Sequence, residues 1–228
     1  MSLYTKLFYE KHLDDSLSSA EIVVPIIIEL LTISNADHKN NELSVLDVGC
    51  GIGTWTRVFQ DNGFDVTGID GEHIDQTQLL IEPSRFISSD LSSDFCLGKQ
   101  ADVLRKKYSI VISLEVAEHL PKSVAGEFVD QLCKMGDTVV FSAAIPGQGG
   151  TGHVNEQWQN YWVSHFNERN FGCQDIIRPI IFDNSLVKYW YRQNILVFKK
   201  DIINDRPLMH YRRVTVDQYI NKTKFRKK

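Results

Sequence analysis

Two carboxylates and an imidazole follow a buried, apolar segment near the middle of the chain. Glu115, Glu118 and His119 come directly after residues 108–114, and a second histidine, His153, follows in a glycine-rich run. If the segment after 114 turns helically, the first three side chains share one face, because positions i, i+3 and i+4 are neighbours on a helix. Carboxylates and imidazoles in such a group can hold a divalent ion or move a proton.

Three interpretations of this cluster remain open. In the first, Glu115, Glu118, His119 and His153 hold Mg²⁺ or a similar ion, with two imidazoles favouring Mn²⁺ or Fe²⁺, and the ion acidifies an acceptor hydroxyl. In the second, His119 or His153 acts without metal as a general base, with Glu118 fixing its tautomer. In the third, these side chains only position other groups.

A glycine-rich turn follows the first apolar segment of the chain. The pattern places Gly49, Gly51 and Gly53 after a strand ending near Val48, and Thr54 opens a helix. Glycines here let the backbone approach a ligand closely, and the helix N-terminus offers unpaired N–H groups. Asp47, two residues before the first glycine, favours a cationic ligand over a pyrophosphate.

Two further acids come at the ends of the next apolar segments. Asp70 ends the segment 64–70, about 20 residues past the first glycine, where an acid accepts hydrogen bonds from ribose hydroxyls. Asp90 and Leu91 follow the segment 85–88. A nucleoside-containing ligand is therefore expected along these strand ends.

This acid-x-G-x-G-x-G turn, with the acids that follow it, resembles the class I S-adenosylmethionine-dependent methyltransferases over roughly residues 43–198. The resemblance implies an α/β fold, a Rossmann-like seven-stranded and mostly parallel sheet with helices on both faces and its last strand antiparallel. It assigns Asp90 to the adenine amino group. It implies S-adenosyl-L-methionine as the cofactor, held by Asp47, Gly49, Cys50, Gly51, Gly53, Thr54, Trp55, Asp70, Asp90, Leu91, Leu114 and Glu115.

The E-x-x-E-H pattern is similar to that of two metal-dependent groups. These are the ubiquinone-pathway O-methyltransferases and the small-RNA 2′-O-methyltransferases, and in the RNA group a later histidine completes the metal site. The run from Ser142 to Trp158 resembles a subgroup of bacterial methyltransferases associated with surface sugars and other small metabolites.

The sequence therefore predicts a methyltransferase acting on an O or N atom of a small molecule, with a sugar or surface-polysaccharide precursor as the implied acceptor. His119 and His153, oriented by Glu115 and Glu118, would deprotonate that acceptor. The acceptor is expected to contact Gln157, Trp158, Trp162, Tyr191 and Arg192. Two alternatives remain: a metal-dependent RNA 2′-O-methyltransferase, and a non-catalytic module that binds the cofactor.

The aromatic residues after the glycine-rich run have two interpretations. Trp158, Tyr161 and Trp162 lie at i, i+3 and i+4 of a predicted helix, which is the spacing of a core-facing stripe. The same residues could wall an acceptor pocket, since aromatic faces pack well on flat substrates. Arg178 and Arg192 could hold an anionic group of the acceptor, although surface ion pairing is the commoner role.

The composition suits one domain. The chain has 228 residues and 43% hydrophobic content, and we expect a helical cap over 1–42, a catalytic core over 43–200, and an extension over 201–228 with a basic tail. The net charge of −4 argues against a broad nucleic-acid surface. No membrane association is expected, because the longest aliphatic run, 22–31, is too short and contains Pro25 and Glu29.

Four dispersed cysteines without a C-x-x-C pair indicate a reducing cytoplasm, and the first residues lack the features of a secretory signal. The hydrophobic periodicity predicts helices over 18–33, 54–62 and 157–170. It predicts strands over 45–48, 64–70, 85–88, 108–114, 138–145, 174–178 and 194–199.

Overall fold

A seven-stranded sheet forms the centre of the computed structural model, which describes residues 6–32, 43–93 and 106–202. The strand order is β3-β2-β1-β4-β5-β7-β6, and β7 is antiparallel to both of its neighbours while the other pairs are parallel. The strands are β1 Ser44–Val48, β2 Asp65–Asp70, β3 Phe86–Ser88, β4 Ile110–Leu114, β5 Thr138–Ser142, β6 Phe171–Gln174 and β7 Leu196–Lys200. The predicted fold class is confirmed.

The strand order reverses between β1 and β4. β1 pairs with β2 on one side and with β4 on the other, and all three run in the same direction. Their carboxyl ends therefore meet at one edge of the sheet, where open α/β sheets bind ligands. The glycine-rich turn, Asp70 and Glu115 all follow these strand ends.

Helices cover both faces of the sheet. They are α1 Lys6–Thr32, α2 Thr54–Asp61, α3 Ala125–Met135, α4 Gln159–Asn167, α5 Arg178–Ile181 and α6 Tyr189–Asn194. Short 3₁₀ turns lie at Gln76–Gln78, Pro83–Arg85, Ala117–His119 and Lys122–Val124.

Two apolar layers follow from the alternation of side chains along the strands. On β5, Val139 and Phe141 face a layer formed with α3 and α4, where Phe166 stacks on Phe198 with ring centroids 3.8 Å apart. Val140 faces the opposite layer, formed with α1, α2, α5 and α6. Each face of the sheet is therefore buried, as parallel strands require.

Two predicted elements differ from the structure. The first helix begins at Lys6 and not at Ser18, and Ser19 lies inside it, donating from its hydroxyl to the Asp15 carbonyl. The sixth strand, predicted over 174–178, spans Phe171–Gln174, and Arg178 with the proline after it opens α5. Proline suits a first helical turn and cannot donate to a strand ladder.

Three of the four cysteines, Cys50, Cys133 and Cys173, are buried free thiols. Cys96 and the predicted basic tail at 221–228 lie outside the described residues. Among the helices that the structure describes, none combines the length and apolarity needed to cross a membrane.

Candidate active site

The glycine-rich turn adopts a backbone conformation that residues with a side chain rarely take. Gly49 has a φ of 85°, and a Cβ built there would lie 2.2 Å from Val116 Cγ2. The backbone N–H groups of Gly49 and Cys50 both donate to the Ile69 carbonyl, at 2.8 and 3.1 Å. The turn is thereby fixed against the end of β2, and only glycine fits at its first position.

Asp70 binds the backbone of the turn and lines the adjacent cavity. Its two carboxylate oxygens accept from the backbone N–H groups of Gly51, at 2.7 Å, and Gly71, at 2.6 Å. Each oxygen retains a lone pair for a further donor. Burial raises the pKa of Asp70 above its ordinary value, although these backbone hydrogen bonds oppose the change.

A cavity of about 570 Å³ opens at this sheet edge, which is within the usual size of a small-molecule site. Asp90 lies on its wall, with Oδ1 accepting from the N–H and hydroxyl of Ser92. The other residues predicted to bind cofactor that line it are Gly49, Cys50, Gly51, Thr54, Trp55, Asp70, Leu91, Leu114 and Glu115.

Two residues predicted to contact the cofactor do not line the cavity. Asp47 is buried beneath the turn, and its Oδ2 accepts from the Thr56 hydroxyl at 2.6 Å. Burial raises the pKa of Asp47 to about 7. Gly53 faces Ile81, whose Cγ1 would lie 3.2 Å from a Cβ built there. Neither residue is part of the cavity wall, and their predicted contact with the cofactor stays a prediction.

Glu115 adopts a backbone conformation that interrupts its motif. Its φ is 58°, in the left-handed region, so the backbone does not continue helically from Glu115 to Glu118. Its carboxylate accepts from Gln148 Nε2 at 2.7 Å and from Asn194 Nδ2 at 3.1 Å. The predicted shared helical face is therefore wrong, and Glu115 connects β4 to α6 and to the glycine-rich loop.

Glu118 lies in the cavity wall with a fully buried side chain. Neither of its carboxylate oxygens has a hydrogen-bond partner. Burial raises the pKa of Glu118 well above its ordinary value, and the nearby Glu115 raises it further. The surroundings of Glu118 therefore disfavour its ionised form.

The two predicted histidines meet in the cavity wall. The rings of His119 and His153 pack edge to face, with centroids 4.8 Å apart. Burial lowers the pKa of His119 to about 4, the neighbouring His153 lowers it further, and a hydrogen bond with the Gly152 backbone opposes this. His119 is therefore a neutral imidazole at physiological pH.

Glu118, His119 and His153 each offer one atom that could bind a metal ion, and these three atoms lie within 4.8 Å of one another. Within the described ranges 6–32, 43–93 and 106–202, this is the group of acids, histidines and cysteines with metal-site spacing. Glu115 is outside it, which corrects the predicted ligand set.

Glu156, which the sequence interpretation did not assign, organises the loop that carries His153. Its carboxylate contacts His153 Nδ1 at 2.9 Å and accepts from the N–H groups of Gly147 at 2.7 Å and Gly149 at 3.0 Å. Burial would raise the pKa of Glu156, but these hydrogen bonds outweigh it and the pKa is lowered. The i, i+3 spacing from His153 was the sequence signal for this contact.

Four of the five residues predicted to contact the acceptor are outside the cavity wall. Trp162 is a core residue packed on Phe141, and Trp158 is 52% exposed. Gln157 donates to Asn155 Oδ1, and Arg192 donates to the Phe182 carbonyl. Tyr191 does line the cavity, where its hydroxyl accepts from Trp55 Nε1 at 3.3 Å.

Other cavity residues were missed because they lie far apart in sequence. Leu13 and Ser16 come from α1, and Tyr189 and Trp190 come from the start of α6. α1 is joined to α6 through the Lys188 N–H, which donates to Ser19 Oγ at 3.0 Å. No local spacing relates these segments, so only the folded chain reveals their proximity.

Arg178, considered as an anion-binding residue, pairs with Asp175 and donates to the Gln193 carbonyl. It is thereby engaged with its own protein. The alternative of ion pairing accounts for its position.

Solved structures with this fold include several methyltransferases. The magnesium protoporphyrin IX methyltransferase of Synechocystis PCC 6803, with bound S-adenosylhomocysteine, is 19% identical, with a TM-score of 0.53 over 88% of this chain and 90% of that chain. The sugar N-methyltransferase KedS8 of Streptoalloteichus sp ATCC 53650 is 13% identical, with a TM-score of 0.59 over 89% and 97%. DesVI of Streptomyces venezuelae is 16% identical, with a TM-score of 0.56 over 85% and 95%.

Among curated proteins, none matches the chain. A family model described as a methyltransferase domain matches residues 24–174, which include the glycine-rich turn, Asp70, His119 and His153. The match spans about two thirds of the chain, which therefore belongs to the methyltransferase-domain family.

Proposed function

We propose that this protein transfers a methyl group from S-adenosylmethionine to an O or N atom of a small molecule, with a sugar as the acceptor class. The observation that carries the proposal is the cavity itself. The glycine-rich turn and Asp70 form part of its wall, and His119 and His153 form another. The sugar N-methyltransferase with a similar fold supports the acceptor class.

The turn fits the cofactor in two respects. A Cβ at Gly49 would collide with Val116, so the glycine keeps the backbone against the cavity free of side chain. Asp70 lines the cavity and is the proposed acceptor for the ribose hydroxyls, while Asp90 is proposed to accept from the adenine amino group. S-adenosylmethionine supplies an activated methyl group, because its sulfonium is a good leaving group.

The protein must hold the acceptor in line and remove its proton. A positioned base and an aligned approach account for much of the acceleration available to such a reaction. His153 is proposed as the base, since it lies in the cavity wall and Glu156 contacts its Nδ1. His119, whose pKa is lowered to about 4, is too weak a base near neutral pH and is proposed to position the acceptor.

A divalent ion is a second interpretation of the same cluster. Glu118 has two buried oxygens without partners, and the two imidazoles beside it complete a three-ligand set. One carboxylate and two imidazoles suit Mn²⁺ better than Mg²⁺. A bound ion would keep Glu118 ionised, would take His153 as a ligand in place of its role as a base, and would act as a Lewis acid on an acceptor hydroxyl.

The proposal is tested by calorimetric titration of chelator-treated protein with S-adenosylhomocysteine. We expect micromolar binding, about −8 kcal/mol, and a loss of about 10- to 100-fold in Asp70→Asn, because a charge-assisted hydrogen bond contributes about 1.5–3 kcal/mol. Asp61→Asn, in an exposed pair with Arg57 on α2, is the control and should bind like wild type. Absence of binding by the wild-type protein would overturn the proposed function.

A separate titration with Mn²⁺ distinguishes the two interpretations of the histidine cluster. If the site binds the ion, Glu118→Gln should lose that binding while retaining S-adenosylhomocysteine. If wild-type protein binds no Mn²⁺, the metal-free interpretation is the one that remains. Screening of amino sugars and neutral sugars with the intact protein then identifies the acceptor.

A further inference from the structure

The carboxylate of Glu156 holds the glycine-rich loop in place through hydrogen bonds. It accepts from two backbone N–H groups, with Gly147 on Oε2 and Gly149 on Oε1, and Oε1 also contacts His153 Nδ1 at 2.9 Å. An ionised carboxylate can only accept hydrogen bonds. The third contact therefore requires a proton on Nδ1 of His153.

A proton on Nδ1 determines the state of the other ring nitrogen. In a neutral imidazole, one nitrogen is a donor and the other an acceptor, so Nε2 of His153 carries a free lone pair. Nε2 lies 4.0 Å from Glu118 Oε1, beyond hydrogen-bond distance. Glu118, which the sequence interpretation expected to orient a histidine, does not make that contact.

The loop backbone is shaped around this ring. A Cβ at Gly150 would lie 2.2 Å from His153 Nε2, so the imidazole packs directly against glycine backbone. On the other side, the ring packs edge to face on His119. The ring is therefore confined on two sides, and its side chain is only 11% exposed.

Glu156 lies on a segment that is anchored to both neighbouring parts of the site. The N–H groups of Val154 and Asn155 donate to the Glu118 carbonyl, at 2.9 and 3.0 Å, and the Gln157 N–H donates to the Ala144 carbonyl at 3.1 Å. These bonds tie the segment to the 3₁₀ turn and to the chain after β5. The position of Glu156 is thus set by the same elements that form the cavity.

From this geometry we propose that Glu156 positions His153, a residue of the cavity wall, for proton removal, accepting its Nδ1–H and leaving Nε2 as the basic atom. The inference rests on the proposed methyl transfer. In that reaction, the acceptor lone pair forms the bond to the methyl carbon and the carbon–sulfur electron pair stays on sulfur. The acceptor proton passes to Nε2, and the anionic Glu156 stabilises the resulting imidazolium.

The experiment is ¹⁵N-detected NMR of the His153 ring in the full chain without acceptor, which reports the tautomer directly. Wild-type protein is expected to show Nδ1–H and an unprotonated Nε2. Glu156→Ala removes the carboxylate that accepts the Nδ1–H hydrogen bond, so the population of the Nδ1–H tautomer is expected to fall. If Glu156→Ala does not fold, Glu156→Gln keeps the shape with a single acceptor oxygen and should give a mixture of tautomers.

Glu168→Ala is the matched control, because Glu168 lies three residues after His165 with their atoms 3.8 Å apart and is exposed. It should leave the His153 signals unchanged. A wild-type Nε2–H tautomer, or an unaltered tautomer in Glu156→Ala, would overturn the proposal. S-adenosylhomocysteine binding by the wild-type protein serves as a separate readout: its failure would overturn the proposed function without changing the tautomer result.

Discussion

At the scale of single residues, the ionisation of Asp47 is expected to affect the stability of the protein. The side chain is enclosed beneath the turn, with Thr56 as its hydrogen-bond donor. Its pKa is raised from 3.8 to about 7, chiefly by burial. Between these two values the folded state binds more protons than the unfolded state, so this group makes the folded state less stable as pH rises from about 4 to about 7.

Asp47→Asn removes this titration while keeping an oxygen that can accept from Thr56. The free energy of unfolding of the variant, relative to wild type, is expected to rise from about pH 4 to about pH 7 and then level off. The change is at most about 4 kcal/mol, since one pH unit corresponds to about 1.4 kcal/mol. Urea denaturation at several pH values measures it, with Asp61→Asn as the exposed control. A difference independent of pH would contradict the prediction.

The residues of the site were predictable to different degrees. The glycine-rich turn and Asp70 could be placed together because the carboxyl ends of parallel strands meet at one edge. Asp47 could not be placed, because the sequence motif records its presence and not whether it contacts ligand or supports the turn. Glu115 could not be placed either, since a left-handed φ at glutamate has no signature in the residue type.

At the scale of elements, the turn after β1 is expected to tolerate no side chain at its first glycine. Gly49 and Gly63 have nearly the same φ, 85° and 86°, but a Cβ at Gly63 meets nothing within 4 Å, whereas one at Gly49 meets Val116. Gly63→Ala should therefore cost about 1–2 kcal/mol for the backbone alone. Gly49→Ala should cost about 1–3 kcal/mol more.

Urea denaturation of both glycine variants measures these costs. Val116→Ala removes the methyl groups that would collide, so adding it to Gly49→Ala should recover the excess as a favourable coupling energy in a double-mutant cycle. Equal costs for the two glycine variants would show that the close approach to Val116 has no energetic consequence.

The aromatic stripe of α4 provides a second comparison between matched side chains. Trp162 is buried against Phe141, and Trp158, at the start of the helix, is exposed. Trp162→Ala is expected to lower the free energy of unfolding by about 3–5 kcal/mol, because it leaves a cavity in the core. Trp158→Ala should change it by no more than about 0.5 kcal/mol. A comparable loss in both variants, measured by urea denaturation, would show that exposure does not separate their roles.

The order of the seven strands followed from hydrophobic periodicity, since buried parallel strands are short apolar runs, whereas α3, α5 and α6 were not predicted. Element ends were less predictable, because they depend on partners that are distant in sequence. The segment 174–178 was predicted as a strand, yet the strand ladder with β7 ends at Gln174. For α1, the helix extends from the predicted start at Ser18 back to Lys6, and Leu13 and Leu17 continue its apolar i, i+4 spacing.

At the scale of the whole molecule, the cavity joins parts of the chain that are far apart in sequence. α1 contributes Leu13 and Ser16, the sheet edge contributes the turn and Asp70, and the glycine-rich loop contributes His153. The ion pair between Lys188 and Asp15, at 2.7 Å, is a further link between α1 and α6. A ligand that fills this cavity contacts all of these parts, so its binding free energy opposes the local opening of each.

Hydrogen exchange with and without S-adenosylhomocysteine tests whether the N-terminal helix is part of the ligand site. At about 100 times the dissociation constant, the ligand can add up to about 2.7 kcal/mol to each opening that releases it, which slows exchange by up to about 100-fold. Slowed exchange is expected in the glycine-rich turn, in α1 near Leu13 and Ser16, and in the loop before His153. α3 packs on the other face of the sheet from α1. Its exchange rates are therefore the internal control for local opening. Protection confined to the turn would contradict the role of α1 as a cover, because a ligand that contacts α1 must hinder its opening.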